Sequence, residues 1–253
     1  MSELAGKSAL VTGGGSGLGR AIALRFASEG ASVTVAGRRR QALEAAAGEG
    51  SGRVAAVAGD VTREDDRARF VEAALRPSGT LDILVNAAGI LEAGSLRSTT
   101  HEAWDRSLDV NLRSIYALTR LAAPHLEEAR GSILNLSSVA GLRPYPGLLA
   151  YCVSKAALDQ LTRCLALELA PLGVRVNALN PGVVVTDLHR AGGMSAEDYA
   201  AFLERGKTTH PLGRVGRPDD VAAFALFLSS DRAGWVTGGT FSVDGGRALA
   251  SAR

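Results

Sequence analysis

The sequence predicts an α/β fold in which one doubly wound domain contains a seven-stranded parallel sheet with helices on both faces. Short apolar runs rich in Val, Ile and Leu alternate with longer segments of helical periodicity, which is the pattern of βαβ units. Most of these runs are continuously apolar, as expected of strands that are buried on both faces. No linker rich in Pro, Ser or Gly divides the chain, so we expect residues 1–253 to form a single domain.

The apolar runs and the segments of helical periodicity give the bounds of the predicted strands and helices. The predicted strands are residues 8–13, 32–37, 53–59, 81–89, 131–138, 174–182 and 239–246. The segments with helical spacing are residues 18–29, 102–129, 150–170 and 219–229. In the helix predicted over 150–170, the apolar spacing is set by Ala157, Leu158, Leu161, Leu165 and Leu169.

Residues 187–217 interrupt the alternation with a long excursion between the sixth and seventh strands. We call this stretch the lid segment, and two helical turns are expected within it. Long excursions at the ligand edge of such a sheet are commonly lids or binding loops, so it is predicted to cover the substrate. A plain surface insertion is the alternative.

Composition excludes several classes of protein. The net charge is +2 and the only dense basic cluster is Arg38-Arg39-Arg40, which disfavours nucleic-acid binding. Cys152 and Cys164, if on one helix, lie about 18 Å apart and cannot form a disulfide, so free thiols and a cytoplasmic location are expected. No signal peptide, membrane span or metal-ligand spacing among the histidines is visible, and we expect neither a membrane nor a metal partner.

The turn after the first strand has the composition of a phosphate-binding loop. "VTGGGSGLGRAIA" (residues 11–23) places Thr12, Gly13, Gly17 and Gly19 in the pattern TGxxxGxG. Glycines allow the backbone to approach a pyrophosphate, and the following helix N-terminus offers amide donors and a positive dipole. The predicted cofactor-binding residues of this turn are Gly13, Ser16, Gly17, Leu18 and Gly19.

The end of the second strand predicts which dinucleotide binds. An acidic residue there would bind a ribose 2′-hydroxyl, whereas a basic residue accommodates a 2′-phosphate. Gly37 stands where an acid would, and Arg38 follows it. The planar guanidinium suits a phosphate, so NADP(H) is favoured and NAD(H) remains possible. Arg39 and Arg40 are interpreted as solvated charges.

Tyr151 and Lys155 are the candidate acid–base pair. The chain contains only three lysines, and Lys155 is four residues after Tyr151 in a predicted helix, so both share one face. A phenol with a pKa near 10 is a poor base at neutral pH. A neighbouring ammonium favours the phenolate, so we expect Lys155 to lower the pKa of Tyr151.

Several segments in the same order resemble the short-chain dehydrogenase/reductase family, and the resemblance covers nearly the whole chain. The matching pieces are "TGGGSGLG" (12–19), "GDV" (59–61), "NAAG" (86–89), "DVN" (109–111), "LSS" (136–138), "YCVSK" (151–155), "NPG" with Thr186, and "VTGGTFSVDGG" (236–246). The family is built on a Rossmann domain, and the chain resembles its 3-oxoacyl reductase members.

The resemblance implies roles for four catalytic residues. Tyr151 would exchange a proton with the substrate oxygen, and Lys155 would also bind the nicotinamide ribose. Ser138, thirteen residues before Tyr151, would hydrogen-bond the substrate oxygen, with Ser137 as its neighbour. Asn111 would support a proton relay through water, and a helix-kink or capping role is its alternative.

The resemblance also implies further binding residues. Asp60 and Val61 would contact the adenine, and Asn86 and Gly89 would line the cofactor side of the fourth strand. The nicotinamide side is assigned to Pro181, Gly182, Val184 and Thr186. Asn86 could instead tie strands together, and Pro181-Gly182 could set a turn. Tyr145 and His189 are candidate substrate contacts, with packing and surface roles as their alternatives. Ala87 replaces the usual second asparagine of the "NNAG" motif.

Together these observations predict an NADP(H)-dependent oxidoreductase that transfers hydride between the nicotinamide and a carbonyl or secondary alcohol. A 3-oxoacyl thioester reductase is one alternative within this class. A non-catalytic nucleotide-binding scaffold or sensor is the alternative of another class. The resemblance further implies a homotetramer, or a homodimer, and a small-molecule substrate.

Overall fold

The computed structural model describes residues 2–250 and contains the predicted parallel sheet. In the described residues the sheet has seven strands in the order β3-β2-β1-β4-β5-β6-β7, and every neighbouring pair is parallel. The strands are β1 (Ser8–Thr12), β2 (Ser32–Gly37), β3 (Val54–Ala58), β4 (Ile83–Asn86), β5 (Ser132–Leu136), β6 (Arg175–Pro181) and β7 (Thr240–Val243). The prediction of a doubly wound α/β fold is therefore confirmed.

Helices connect these strands and cover both faces of the sheet. They are α1 (Gly17–Ser28), α2 (Arg40–Glu49), α3 (Glu64–Leu75), α4 (His101–Leu108), α5 (Ser114–Ala129), α6 (Val139–Leu142), α7 (Leu149–Leu169), α8 (Leu188–Ala191), α9 (Ala196–Thr209) and α10 (Pro218–Ser229). The sequence analysis did not assign α2 and α3. Their apolar stripes are narrow, since α2 buries only Leu43 and Ala46 and α3 only Phe70, Val71 and Ala74.

The order of the strands creates the ligand-binding edge. β1 lies between β2 and β4, and the chain winds outward from β1 in both directions. Successive crossovers therefore leave opposite faces of the sheet, and a cleft opens at the carboxyl ends of β1 and β4. One core cluster includes Ile22 and Phe26 of α1, and a second includes Phe70 and Leu118, so both faces are sealed by packed helices.

The helix predicted over 102–129 is interrupted by a π-helical turn. Residues Asp109–Arg113 form this turn between α4 and α5. Such a turn inserts an extra residue into the helix, and π-bulges occur frequently at functional sites. Asn111 lies within it and is fully buried, so the irregularity directs a polar side chain into the protein.

α7 buries a different face from the one its leucines suggested. Leu158 and Leu169 are buried, but they share the inner face with Tyr151, Ser154, Lys155, Asp159 and Thr162. Leu161 and Leu165 are only partly buried. Both cysteines lie on this helix as free thiols, as expected. None of the helices in residues 2–250 combines the length and the apolar character that crossing a membrane requires.

Candidate active site

The glycine turn between β1 and α1 is shaped by close backbone contacts. Gly13 has a φ of 68°, and a Cβ atom there would lie 2.8 Å from the Ala87 carbonyl oxygen. A Cβ atom at Gly19 would lie 2.5 Å from the Gly13 carbonyl oxygen. A side chain at either position would collide with backbone, so the turn can fold only with glycine. It directs the N-terminus of α1 toward the cleft, as an anion-binding site requires.

Thr12 joins this turn to the segment that follows β4. Its Oγ1 accepts hydrogen bonds from the backbone N–H groups of Ala87 and Ala88, each at 3.1 Å. The two chain segments that flank the cleft are therefore held together by one buried hydroxyl. The sequence pattern includes Thr12 but does not reveal this role.

A cleft of about 820 Å³ extends from the glycine turn to α8. It is lined by ten of the predicted cofactor residues, namely Gly13, Ser16, Gly17, Leu18, Gly19, Arg38, Asp60, Val61, Gly89 and Thr186. Its volume is in the range of small-molecule sites, and its glycine floor has no side chains that would block a pyrophosphate. The residues present thus fit a dinucleotide.

Besides Tyr151 and Lys155, four predicted cofactor residues are not among those that line the cleft. Asn86 donates from Nδ2 to Asn135 Oδ1 at 2.9 Å and joins β4 to β5, which favours the strand-tying alternative. Pro181 ends β6, and a Cβ atom at Gly182 would come within 3.0 Å of His210 Nε2. Val184 is buried and forms a β-bridge with Gly216. These observations support structural roles for the four residues.

The rim of the cleft carries two arginines. Arg38 and Arg39 are both exposed and both line the cleft beside Gly37. Arg39 Nη2 donates to Ser16 Oγ at 2.5 Å, so this side chain bends over the glycine turn. The interpretation of Arg39 as a solvated charge is therefore wrong in one respect, because it belongs to the rim.

Tyr151 and Lys155 lie on the buried face of α7, with 6% and 4% of their surfaces exposed. Lys155 Nζ donates to the Leu136 carbonyl oxygen at 2.7 Å and lies 5.8 Å from the centre of the Tyr151 ring. A Cβ atom at Gly89 would lie 3.7 Å from the same Nζ. The lysine thus reaches from α7 across the end of β5 to the lining of the cleft.

The two serines that follow β5 are separated by their contacts. Ser138 caps α6, where its Oγ accepts from the Ala140 N–H at 3.1 Å, and its hydroxyl favours the ionised form of Tyr151. Ser137 instead donates from Oγ to the Lys155 carbonyl oxygen at 3.2 Å. Ser138 is therefore the serine beside the tyrosine.

Burial dominates the titration of this pair. It raises the pKa of Tyr151 to about 12, against a smaller opposing effect of the Ser138 hydroxyl. Burial also lowers the pKa of Lys155 to about 8, while the Asp159 carboxylate acts in the opposite direction. The pKa of Tyr151 is thus raised and not lowered in the protein alone, and the expected effect of Lys155 on it stays a prediction. Removing the phenolate from water costs more than the hydrogen bond from Ser138 returns.

Asn111 is fully engaged with protein groups. Its Oδ1 accepts from the Ile90 N–H at 2.9 Å, and its Nδ2 donates to the Ile90 carbonyl oxygen at 3.0 Å and to Ser154 Oγ at 3.1 Å. These hydrogen bonds hold the backbone of Ile90, next to Gly89, and connect it through Asn111 to α7. The structure places Asn111 in the site and also in a kinked turn.

The phenol of Tyr151 faces an apolar wall. Leu91 and Ala140 form a buried cluster with it, and the residues packed against that cluster are Tyr145, Leu148, Cys152 and Leu188. Tyr145 is thus brought near Tyr151, and its contact with the substrate stays a prediction. Leu91, Leu148 and Leu188 were not predicted, because single apolar residues outside a periodic segment carry no motif.

His189 points into the lid segment. Its ring centre is 4.6 Å from that of Phe202 on α9, and burial lowers its pKa. His189 therefore packs within the lid segment, and the predicted substrate contact gains no support from its position.

The lid segment is fastened to the exit of β6 by two side chains. Tyr199 of α9 donates from its hydroxyl to the Thr186 carbonyl oxygen at 2.8 Å and accepts from the Thr186 N–H at 3.1 Å. His210 accepts at Nε2 from the Val183 N–H at 3.2 Å, and its Nδ1 lies 2.7 Å from the Gly206 carbonyl oxygen. Thr186 lines the cleft, so Tyr199 connects α9 to the cofactor side of the site.

The glycine turn, the cleft at the sheet switch point and the buried Tyr151–Lys155 pair define a dinucleotide-dependent oxidoreductase. Residues 13–248 match the family described as enoyl-(acyl carrier protein) reductase. The chain belongs to the short-chain dehydrogenase/reductase family, whose members act on CH–OH and carbonyl groups with NAD(P).

Three relatives illustrate this relationship. The chain is 44% identical over 244 residues to a 4-formylbenzenesulfonate dehydrogenase of Comamonas testosteroni, covering 94% of this chain and 96% of that protein. A Caenorhabditis elegans short-chain dehydrogenase/reductase with cofactor superposes with a TM-score of 0.92 at 33% identity, covering 98% of this chain and 97% of that one. The Brucella melitensis 3-ketoacyl-(acyl-carrier-protein) reductase complexed with NADH gives 0.90 at 39% identity, covering 97% and 99%.

Proposed function

We propose that this protein is an NADP(H)-dependent oxidoreductase that interconverts a carbonyl compound and the corresponding alcohol. The observation that carries the proposal is the meeting of Ser138, Tyr151 and Lys155 at the carboxyl end of β5, beside the dinucleotide cleft. A bound nicotinamide would supply or accept the hydride. The side chains of this protein would manage the substrate oxygen and its proton.

Each of the three residues has a distinct task in this proposal. Ser138 donates a hydrogen bond to the substrate oxygen and stabilises the charge that develops there. Tyr151 gives its phenolic proton to that oxygen during reduction and takes one back during oxidation. The ammonium of Lys155 favours the phenolate and also holds the nicotinamide ribose, which would lie near Gly89. Asn111 keeps the Gly89–Ile90 segment in place and would support a water-mediated proton path.

The preference for NADP(H) rests on the rim. Two exposed guanidinium groups, Arg38 and Arg39, stand where the adenine ribose would lie, and Gly37 offers no carboxylate to repel a phosphate. A 2′-phosphate could accept charge-assisted hydrogen bonds from both. NAD(H) would lack these bonds.

The substrate is proposed to carry an apolar group next to its carbonyl. The wall around Tyr151 is built from Leu91, Leu148 and Leu188 with the ring of Tyr145, and residues 187–217 would act as the lid. An aromatic aldehyde is one candidate, supported by the similarity to the formylbenzenesulfonate dehydrogenase. A 3-oxoacyl thioester is the second, supported by the similarity to the 3-ketoacyl reductase.

We further propose a homotetramer that functions in the cytoplasm. The outer sides of α5 and α7 expose large apolar side chains, of which Leu167 is 80% exposed and Tyr116 48% exposed. Such surfaces favour association between copies of the chain. Both cysteines are free thiols, which suits a reducing compartment.

A substrate panel followed by NADPH absorbance tests this function. Aromatic aldehydes, 3-oxoacyl thioesters, sugars and steroids are compared with wild-type protein and with Tyr151→Phe. We expect turnover of at least one class by the wild type and a loss of about 10³-fold in the variant, because the proton donor is removed. NADPH binding, measured by fluorescence, should persist in the variant.

The matched control is Tyr116→Phe, which removes an exposed hydroxyl on α5. It should leave turnover unchanged. Tyr151→Phe protein that still turns over at the wild-type rate would contradict the mechanism. Wild-type protein that binds NADPH without turning over any class of carbonyl would favour a nucleotide-binding scaffold or sensor.

A further inference from the structure

Asp159 is a buried carboxylate that the proposed chemistry does not use. It lies one helical turn beyond Lys155 on α7, so Tyr151, Lys155 and Asp159 occupy successive turns of one face. Only 3% of its surface is exposed. A carboxylate at this depth requires hydrogen bonds or an opposite charge, since an isolated buried charge is strongly disfavoured.

Hydrogen bonds connect Asp159 to the residues around the catalytic serine. Asn180 Nδ2 donates to the two carboxylate oxygens of Asp159 at 2.9 and 3.2 Å, and to the Ser138 carbonyl oxygen at 2.9 Å. One amide therefore bridges Asp159 and the residue that would contact the substrate. Asn180 itself lies within β6, so the bridge spans α7, β6 and the end of β5.

The packing around Asp159 leaves no space for adjustment. A Cβ atom at Gly141 of α6 would lie 2.5 Å from Asp159 Oδ2 and 2.9 Å from the Lys155 carbonyl oxygen. The carboxylate is thus held between α6 and its own helix. It occupies a defined position relative to Lys155.

Few charges act on Asp159. Burial raises its pKa, whereas hydrogen bonds from Ser137 and Asn180 and the charges of Arg163 and Lys155 lower it. Arg163 is exposed on α7 and donates to Thr240 Oγ1 at 3.2 Å. The residues that α6, β6 and the segment after β5 bring to Asp159 are uncharged, namely Gly141, Asn180 and Ser137. Among the charges acting on it, Lys155 is therefore the buried one.

We propose that Asp159 is a positioning and charge-balancing residue for the active site. Its carboxylate favours the ammonium form of Lys155 and, through Asn180, fixes the Ser138 end of β5 against α7. This inference rests on the proposed function, because the Asp159 carboxylate is proposed to serve the acid–base pair of Tyr151 and Lys155. Asp159 does not touch the reacting atoms, so it acts through Lys155 and Ser138.

The test uses the scarcity of lysine in this chain. Full-length protein labelled at lysine ¹³Cε gives three NMR signals, from Lys7, Lys155 and Lys207. The signal that disappears in Lys155→Met is that of Lys155. In Asp159→Asn, which keeps an acceptor for Asn180, the Lys155 signal should titrate at lower pH than in the wild type. The signals of Lys7 and Lys207 serve as internal references.

Kinetics provide the second measurement. The basic limb of the kcat profile should move to lower pH in Asp159→Asn, with a loss of about threefold to tenfold at pH 9 and a smaller loss at pH 7. Glu168→Gln is the matched control, because it removes one carboxylate from an exposed position of the same helix. It should shift neither the Lys155 signal nor the profile.

The outcomes separate the two proposals. An unshifted Lys155 signal in Asp159→Asn, or an equal loss of kcat at every pH, would overturn the proposed role of Asp159. The residue would then contribute only to packing. A shifted signal in a protein that turns over no carbonyl would keep the charge linkage and refute the proposed function. If Asp159→Asn does not fold, Asp159→Ser gives the same readout with a smaller side chain.

Discussion

The catalytic face of α7 and the rim of the cofactor cleft use charge in opposite ways. On α7, Tyr151, Lys155 and Asp159 are each less than a tenth exposed, and hydrogen bonds hold Lys155 and Asp159 in place. At the rim, Arg38 and Arg39 are exposed, and Ser16 is the partner of Arg39. Charges in the interior interact strongly and are costly to leave unpaired, whereas exposed charges are screened. Substitutions should therefore abolish chemistry in the first region and adjust preference in the second.

The largest effect is expected from Lys155→Met. The variant keeps an apolar chain of similar length but loses the ammonium that favours the phenolate of Tyr151, so kcat should fall by about 10²–10⁴-fold. Stopped-flow or steady-state NADPH oxidation measures it. Lys207→Met is the control, because Lys207 is exposed and paired with Glu204 at 2.7 Å. A Lys155→Met enzyme within tenfold of the wild type would remove the distinction between the two regions.

The buried lysine should also be visible in protein stability. The pKa of Lys155 is lowered from 10.5 to about 8, so between these values the unfolded chain binds a proton that the folded protein has lost. Stability then rises with pH across this window, by up to about 3 kcal/mol from this residue. Denaturant unfolding of the wild type and Lys155→Met from pH 8 to 10.5 should show the wild type gaining relative to the variant. If the free energy of unfolding changed with pH by the same amount in both proteins, Lys155 would not be desolvated in the folded state.

At the rim, Arg38→Ala should change cofactor preference. Loss of charge-assisted hydrogen bonds to a 2′-phosphate, of about 1.5–3 kcal/mol, corresponds to a rise of about 10- to 100-fold in KM for NADPH. The KM for NADH should change little. Arg39→Ala tests the second guanidinium, and Arg40→Ala, on the exposed side of α2, is the control. Equal losses with both cofactors would contradict the preference for NADP(H).

The smallest effect is expected where the lid segment joins the cleft. Tyr199→Phe removes both hydrogen bonds to the Thr186 backbone, with a net cost of about 1 kcal/mol. We expect a rise of about fivefold in the Kd for NADPH, measured by fluorescence titration, with an unchanged kcat at saturating cofactor. A change in kcat alone would instead indicate that Tyr199 affects the chemistry.

The elements that sequence reasoning located best are those whose signal is local. The glycine turn, the i, i+4 pair on α7 and the apolar strands all depend on spacing along a short stretch, and the structure contains each of them. The less distinct α2 and α3 were missed, because they bury few residues. The role of Asn86 stayed open, since a buried amide can serve a ligand or another strand until its partner Asn135 is known.

The role of Asp159 could not be predicted from the sequence. The spacing that selected Tyr151 and Lys155 continues for one more turn to Asp159, so a signal was present in the sequence. Its significance depends on burial, because an aspartate on an exposed helical face would be unremarkable. Arg39 is a similar case, as only the folded rim brings it to Ser16.

The sequence by itself determined the alternation of strands and helices, the glycine turn and the residues available for acid–base chemistry, because each follows from periodicity or residue type over a few positions. Only the tertiary structure decided which face of α7 is buried, which group the Ser137 hydroxyl binds and in which direction the pKa values of Tyr151 and Lys155 move. These properties depend on desolvation and on partners contributed by β5, β6 and α6. Both arise when distant segments pack together, and neither is encoded in the spacing of a single helix.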